Sequence, residues 1–91
     1  MKQIKWLPRA EKNLADIVDY VFERNPVAAI NLQELAFKSA ENLMTLPMIG
    51  RIGRVAGTRE LIIHPNYLLV YRIKPRKIEI IAVLHTRQSY P

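Results

Sequence analysis

His85 and Arg87 stand two positions apart near the end of the chain, with Tyr90 three residues further on. An imidazole with an ordinary pKa of about 6.5 is the side chain best placed to give or take a proton at neutral pH. An arginine and a tyrosine beside it can hold an anion or donate a hydrogen bond. Upstream, Arg51, Arg54 and Arg59 surround Gly50, Gly53 and Gly57, and Arg72 follows Tyr71. Glycine lets backbone approach a ligand closely, so this loop suits phosphate contact, and it suits solvent equally well.

These side chains belong to one electrostatic block. The net charge of the 91-residue chain is +6. Residues 1–50 carry six basic and six acidic side chains, whereas residues 51–91 carry eight basic residues against Glu60 and Glu79. The basic surface is therefore local, and a local basic surface on a small protein faces an acidic partner or a phosphate backbone.

Composition narrows the class further. A chain of this length with 49% hydrophobic residues supports one core and not two, so a single domain over residues 1–91 is expected. The absence of cysteine excludes disulfides, thiolate nucleophiles and cysteine-based zinc sites, and suits a reducing compartment. With His64 and His85 the only histidines, no metal site and no cofactor are expected. The charged start runs into a polar helix without the apolar stretch of a secretory signal. The apolar runs 67–71 and 80–84 are far shorter than a membrane span. A soluble, cytoplasmic protein is expected, with no membrane partner.

The elements follow from periodicity. Residues 2–7 alternate polar and apolar, with Ile4 and Trp6 on one side, and Pro8 stops the ladder. From Arg9, Leu14, Ile17, Val18, Val21 and Phe22 fall on one helical stripe. Asn25-Pro26 ends that helix and caps a second, which runs to about Thr45 with Ile30, Leu35, Ala36, Ala40, Leu43 and Met44 as its apolar side. Residues 46–58 read as a loop, and residues 59–63, 67–73 and 77–84 as three strands joined by turns at His64-Pro65-Asn66 and Lys74-Pro75-Arg76. The expected fold is α+β in the order βααβββ: one antiparallel sheet with a helical hairpin on one face.

That order comes with a set of strings: Pro8-Arg9-Ala10-Glu11, Leu46-Pro47 before Gly50-Arg51 and Gly53-Arg54, Gly57-Thr58-Arg59-Glu60-Leu61, His64-Pro65-Asn66-Tyr67, Val70-Tyr71-Arg72, and Ile78-Glu79-Ile80-Ile81 leading to Val83-Leu84-His85-Thr86-Arg87-Gln88. Together they resemble the RelE/ParE superfamily of toxins from bacterial type II toxin-antitoxin modules, across essentially the whole chain. The resemblance implies a growth inhibitor neutralised by a cognate antitoxin in a hetero-oligomer. An acidic antitoxin would suit the basic half, since complementary potentials speed encounter.

The resemblance leaves two activities open. RelE-like members cut messenger RNA on the ribosome, and ParE-like members poison DNA gyrase without chemistry of their own. Cutting RNA through its 2′-hydroxyl needs a base, an acid and cations for the transition state. By resemblance His85, Arg87 and Tyr90 are the catalytic candidates. The arginine that such nucleases carry just before the Leu-Val-Tyr string is Leu68 here. Losing a preorganised cation costs a factor of about 10² to 10³ in rate, although Arg59 or Arg72 could supply charge from a neighbouring strand. The reading favoured is the gyrase inhibitor, with a ribosome-dependent endoribonuclease and an inactive antitoxin-binding module as alternatives. Arg51, Arg54, Arg59, Arg72, His85, Arg87 and Tyr90 are the target-binding candidates.

Each has a plainer role open to it. His85 equally suits capping the last strand, and His64 reads as a turn residue. Lys74, Arg76 and Lys77 keep a hairpin tip soluble, and Trp6 reads as core.

Overall fold

The computed structural model describes residues 2–88 and Tyr90; Met1, Ser89 and Pro91 lie outside the description. Strand β1 (Gln3–Trp6) leads into helices α1 (Pro8–Phe22) and α2 (Pro26–Asn42). The short strand β2 (Arg51–Ile52) follows, then β3 (Arg59–His64), β4 (Tyr67–Ile73) and β5 (Lys77–His85). The five strands form one sheet in the order β1-β5-β4-β3-β2.

The helical hairpin forms where the sequence places it. Pro8 and Pro26 each occupy a first helical turn, where a missing N–H costs nothing. Asn25 caps α2, its Oδ1 accepting the Ala28 N–H at 3.1 Å. Leu14 of α1 is buried, and Ile17 and Val18 pack against the same core as Leu69, Tyr71, Ile78 and Ile80 of the sheet.

The buried side of α2 includes Ala36, Ala40 and Leu43, as expected, but departs from the expected one elsewhere. Ala29, Leu32, Ala36, Ala40 and Leu43 face inward. Ile30 and Leu35, assigned to the core by size, are exposed. Three alanines on the inner stripe let the helix approach its neighbours closely, and the bulkier residues are left outside. Phe37, also exposed, packs edge-on against Trp6 with centroids 5.3 Å apart. Trp6 is accordingly half-buried against the core.

The sheet is mixed, not antiparallel, because β1 runs parallel to β5, with Ile4 opposite Ile78 and Trp6 opposite Ile80. The error traces to β2, which reads as loop in the sequence. With six elements, each reversing the one before, the first and last run in opposite senses. The seventh restores the same sense, and β2 supplies it by pairing antiparallel with β3, Arg51 opposite Glu60 and Ile52 opposite Arg59. A two-residue strand lies below the length at which alternation can be read. Its hairpin to β3 closes with the Gly53 N–H on the Thr58 carbonyl at 2.8 Å. Gly57 there adopts φ +81, a region open to glycine.

What fixes β2 is the buried side chain of Tyr71. Its hydroxyl donates to the Pro47 carbonyl at 2.7 Å and accepts the Gly50 N–H at 2.9 Å. Arg59 completes the clamp, its Nη1 donating to the Gly50 carbonyl at 2.7 Å. A Cβ on Gly50 would lie 2.7 Å from both the Glu60 carbonyl and the Tyr71 hydroxyl, so the loop closes only over glycine.

Burial pushes the Tyr71 phenol above its ordinary value of 10.0, while the Gly50 hydrogen bond and the nearby Arg59 charge pull the other way. Tyr71→Phe orphans the Gly50 N–H and should cost about 2 kcal/mol, a drop in Tm on the order of 10 °C for a chain of this size. Because the folded phenol holds its proton more tightly than the unfolded one, its share of stability is complete below pH 10 and fades above it. The Tm gap between wild type and Tyr71→Phe should therefore narrow above that pH, which melting curves at stepped pH would check.

Candidate functional site

One face of the sheet is covered by the helices. On the other, Leu68 and Val70 of β4 and Ala82 and Leu84 of β5 form a second apolar cluster, with Ile81 and Tyr90 packed against it. Directly paired residues of an antiparallel ladder share a face. The pairs Glu60–Val70, Ile62–Leu68, Leu68–Leu84 and Val70–Ala82 thus define this open face.

A bulge decides which residues of β5 reach it. Val70 pairs with Ala82 but Tyr71 pairs with Ile80, so Ile81 is the extra residue. Before the bulge Ile78 and Ile80 point to the helices; after it Val83 does, while Ala82 and Leu84 point to the open face. A strand without the bulge would carry its odd-numbered end residues to the open side. With it, His85 turns toward α1, lining a cleft with Asn13, Asp16, Tyr20, Tyr67 and Gln88. The Asn13 side chain secures this geometry by accepting the Val83 N–H at 3.1 Å.

His85 is held there by local contacts. Its Nδ1 accepts the Arg87 backbone N–H at 3.1 Å, and its ring meets Tyr67 edge-on at 5.6 Å. Tyr67 in turn lies 5.6 Å from the His64 ring. His64 Nδ1 likewise accepts the Asn66 N–H at 3.0 Å. Both histidines therefore close turns with the same device, and the Nδ1 lone pair of each is engaged.

The seven candidate residues are accordingly divided. Arg51, Arg54, Arg72 and Tyr90 share the open face or its rim. Arg59 lies on the opposite face, paired with Tyr71, where its guanidinium holds the loop carbonyls. His85 faces α1, and Arg87 sits exposed in the turn beyond β5. Arg54 lies over the Tyr90 ring at 5.0 Å, and Arg51 Nε binds Glu60 Oε1 at 2.8 Å. Arg72 Nε is 3.8 Å from Glu79 Oε1. A small pocket of 210 Å³ collects Arg9, Thr58, Arg72 and Tyr90 around a floor of Val70, Ile81, Ala82 and Leu84.

Two participants escaped sequence reading. Arg9, at the start of α1, reaches the pocket only through the parallel placement of β1, which no local pattern encodes. Glu60 is 4% exposed, and among the described residues its Oε2 lacks a partner, as do Arg72 Nε and the Tyr90 hydroxyl. Strict alternation along β3 was the signal that could have placed Glu60 on the face of Val70. No group of three or more His, Cys, Asp or Glu among the described residues could hold a metal, and no helix among them is long and apolar enough to cross a membrane.

This architecture has relatives. The sequence model described as "ParE toxin of type II toxin-antitoxin system, parDE" matches residues 4–90. The chain belongs to the ParE toxin family. It is 35% identical over 91 residues to Y4kP of Sinorhizobium fredii, covering 99% of this chain and 94% of that one. It is 31% identical over 85 residues to Toxin RelE2 of Caulobacter vibrioides, covering 93% and 96%. Its fold is similar to a chain of the chromosomal ParDE system from P. aeruginosa, with a TM-score of 0.82 at 22% identity over 93% of this chain and 96% of that one. A chain of the RelBE2 toxin-antitoxin complex of Mycobacterium tuberculosis is a more distant match, with a TM-score of 0.63 at 22% identity over 92% and 96%. In this ParE-family chain, then, the open sheet face combines an apolar floor with a basic rim.

The Glu60 carboxylate depends on Arg51 for its one strong contact. Arg51→Ala should lower stability by about 1–3 kcal/mol, the cost of leaving a buried acceptor unpaired. Adding Glu60→Gln should recover part of that loss, and urea unfolding of the two variants would measure both effects.

Proposed function

We propose that this chain is a growth-arresting toxin, neutralised by a cognate acidic antitoxin, that acts by docking on DNA gyrase and not by cutting RNA. Membership of the ParE family supports the toxin role. Similar folds occur in a ParDE system and in a RelBE2 toxin-antitoxin complex, which supports an antitoxin partner here. The concentration of basic residues in the second half of the chain suits an acidic one. Gyrase as target implies that the protein works in the cytoplasm.

The observation that carries the docking reading is the separation of His85 from Arg72 and Tyr90 by the sheet itself. General acid–base catalysis requires its groups within hydrogen-bond reach of one reacting phosphate. Here the imidazole faces α1 while the cation and phenol face the other side. At the centre of the open face stands Leu68, 3% exposed, between Ile62 and Leu84 on the flanking strands. An apolar ladder occupies the place where a nuclease needs charge. Arg59, a candidate substitute, spends its guanidinium on Gly50 and Met48. An apolar floor ringed by Arg9, Arg54 and Arg72 has instead the composition of an interface core and rim.

Purified protein added to gyrase should block supercoiling of relaxed plasmid, and induction in cells should trigger DNA-damage signalling with transcript ends unchanged. Intact supercoiling together with new transcript ends that vanish in His85→Ala would reverse the assignment to a ribosome-dependent endoribonuclease. Growth unaffected by induction without antitoxin would leave only an antitoxin-binding module.

A further inference from the structure

The cleft beside His85 carries a hydrogen-bonding pattern that the open face does not share. It measures about 570 Å³ between α1 and the ends of β4 and β5, a volume within the range of small-ligand sites. Asn13, Asp16 and Tyr20 fall at spacings of three and four along α1 and line one side. Tyr67, His85 and Gln88 line the other. Three of these side chains have their acceptor atoms spent on backbone N–H groups. Asn13 Oδ1 accepts from Val83 at 3.1 Å, His85 Nδ1 from Arg87 at 3.1 Å, and Gln88 Oε1 from His85 at 3.4 Å. A backbone N–H only donates, so each assignment of the side-chain atoms is forced. What each has left for the cleft is a donor: the amide NH2 of Asn13, the amide NH2 of Gln88 and the Nε2–H of His85. Asp16 is the one carboxylate among them, and it only accepts.

We propose that this cleft binds a guanine nucleotide. A bare anion suits the three donors but meets Asp16, and a cation suits Asp16 but meets the donors. The fitting ligand joins an acceptor edge to a pair of donors and is flat enough to lie against a tyrosine ring. Guanine has both. Its O6 and N7 accept along one edge, while N1–H and the N2 amino group donate side by side, the arrangement a carboxylate needs for a two-point contact. Adenine and cytosine bring one amino group, and uracil one N–H. The phosphate falls to cations at the rim: Arg24, stacked 3.7 Å over the Tyr20 ring, Lys12, paired with Asp16 at 3.1 Å, and the exposed Arg87. A free nucleotide and an unstacked guanine in a single strand share this chemistry. The sheet separates the cleft from the open face, and a failure here leaves the docking reading untouched.

Titration of the full chain with GMP, IMP, AMP, CMP and UMP, followed by amide NMR, reads affinity and location together. GMP should bind in the millimolar range or tighter and shift the side-chain amides of Asn13 and Gln88. IMP, which lacks the amino group, and AMP should bind at least about tenfold more weakly, the cost of one hydrogen bond to a charged group. Asp16→Asn, at an exposed position, should abolish that preference with unchanged circular dichroism. An oligouridine carrying a single guanosine separates the two sources. Tighter, salt-dependent binding than GMP assigns the cleft to a strand, and binding no tighter assigns it to the free nucleotide. Absence of GMP binding or equal affinity for every nucleotide would overturn the inference. So would shifts confined to the open face around Arg54 and Arg72, or a GMP preference that survives Asp16→Asn.

Discussion

The hydroxyl of Tyr71 is the contact on which the loop bordering the open face depends. It joins the centre of β4 to a loop that otherwise lacks regular structure, accepting from Gly50 and donating to Pro47 at the same time. A buried phenol with both functions used is worth little net enthalpy relative to water, but leaving either partner unpaired is costly. The loop therefore has one good position. Arg59 reinforces it from the same side of the sheet, and the chain leaves Gly50 aimed along the edge of β3. Strand β2 forms as a consequence, and with it the pairing that sets Arg51 beside Glu60. The reversal at β2 also brings β5 parallel to β1, and so Arg9 over the pocket. One side-chain hydroxyl thereby holds the loop that carries Arg51 against the edge of the sheet.

The second constraint is the extra residue in β5. A one-residue insertion exchanges the faces of everything after it. Ile81 and Ala82 both contribute to the open cluster, which widens the apolar floor, and His85 is carried to the other side. The same step that enlarges the apolar floor of the open face carries the His85 imidazole away from it. Asn13 makes the step affordable by accepting the Val83 N–H, a hydrogen bond between α1 and the sheet that a regular ladder does not require.

These two devices also explain what could be read from the sequence and what could not. The helices, their proline starts, the Asn25 cap and the three long strands were legible because each rests on local periodicity or a cap residue. The family resemblance was legible for the same reason, being carried by strings of neighbours. The direction of β1 was not, because it depends on counting a strand two residues long. The buried side of α2 was read correctly at Ala36, Ala40 and Leu43 and misread at Ile30 and Leu35, which outrank alanine in hydrophobicity, while close packing between elements favours the smaller side chain. Among the site residues, grouping by sequence put Arg59 with Arg51 and Arg54, yet alternation along β3 and the Tyr71 clamp send it to the opposite face. Leu68 was legible as an apolar residue in the middle of a basic block, and it is buried on the open face with Val70, Ala82 and Leu84.

The open face is also incompletely satisfied in the isolated chain. Glu60 Oε2, Arg72 Nε and the Tyr90 hydroxyl are all buried without partners among the described residues. Tyr90 and Arg72 line the same pocket, and Glu60 stands one strand away opposite Val70. Each of these atoms carries a desolvation cost that no hydrogen bond offsets, although the charges of Arg72 and Glu60 are partly balanced by Glu79 and Arg51. A partner that lays an apolar residue on the floor and presents backbone or carboxylate groups to the rim would meet those needs at once. Binding then stabilises the fold as well as covering the face, because any ligand selective for the folded state raises its apparent stability by mass action. For a chain of 91 residues, whose single core leaves a modest stability margin, the bound form should be measurably more robust than the free one. The open face is thus the one on which the described chain leaves its own hydrogen bonding unfinished.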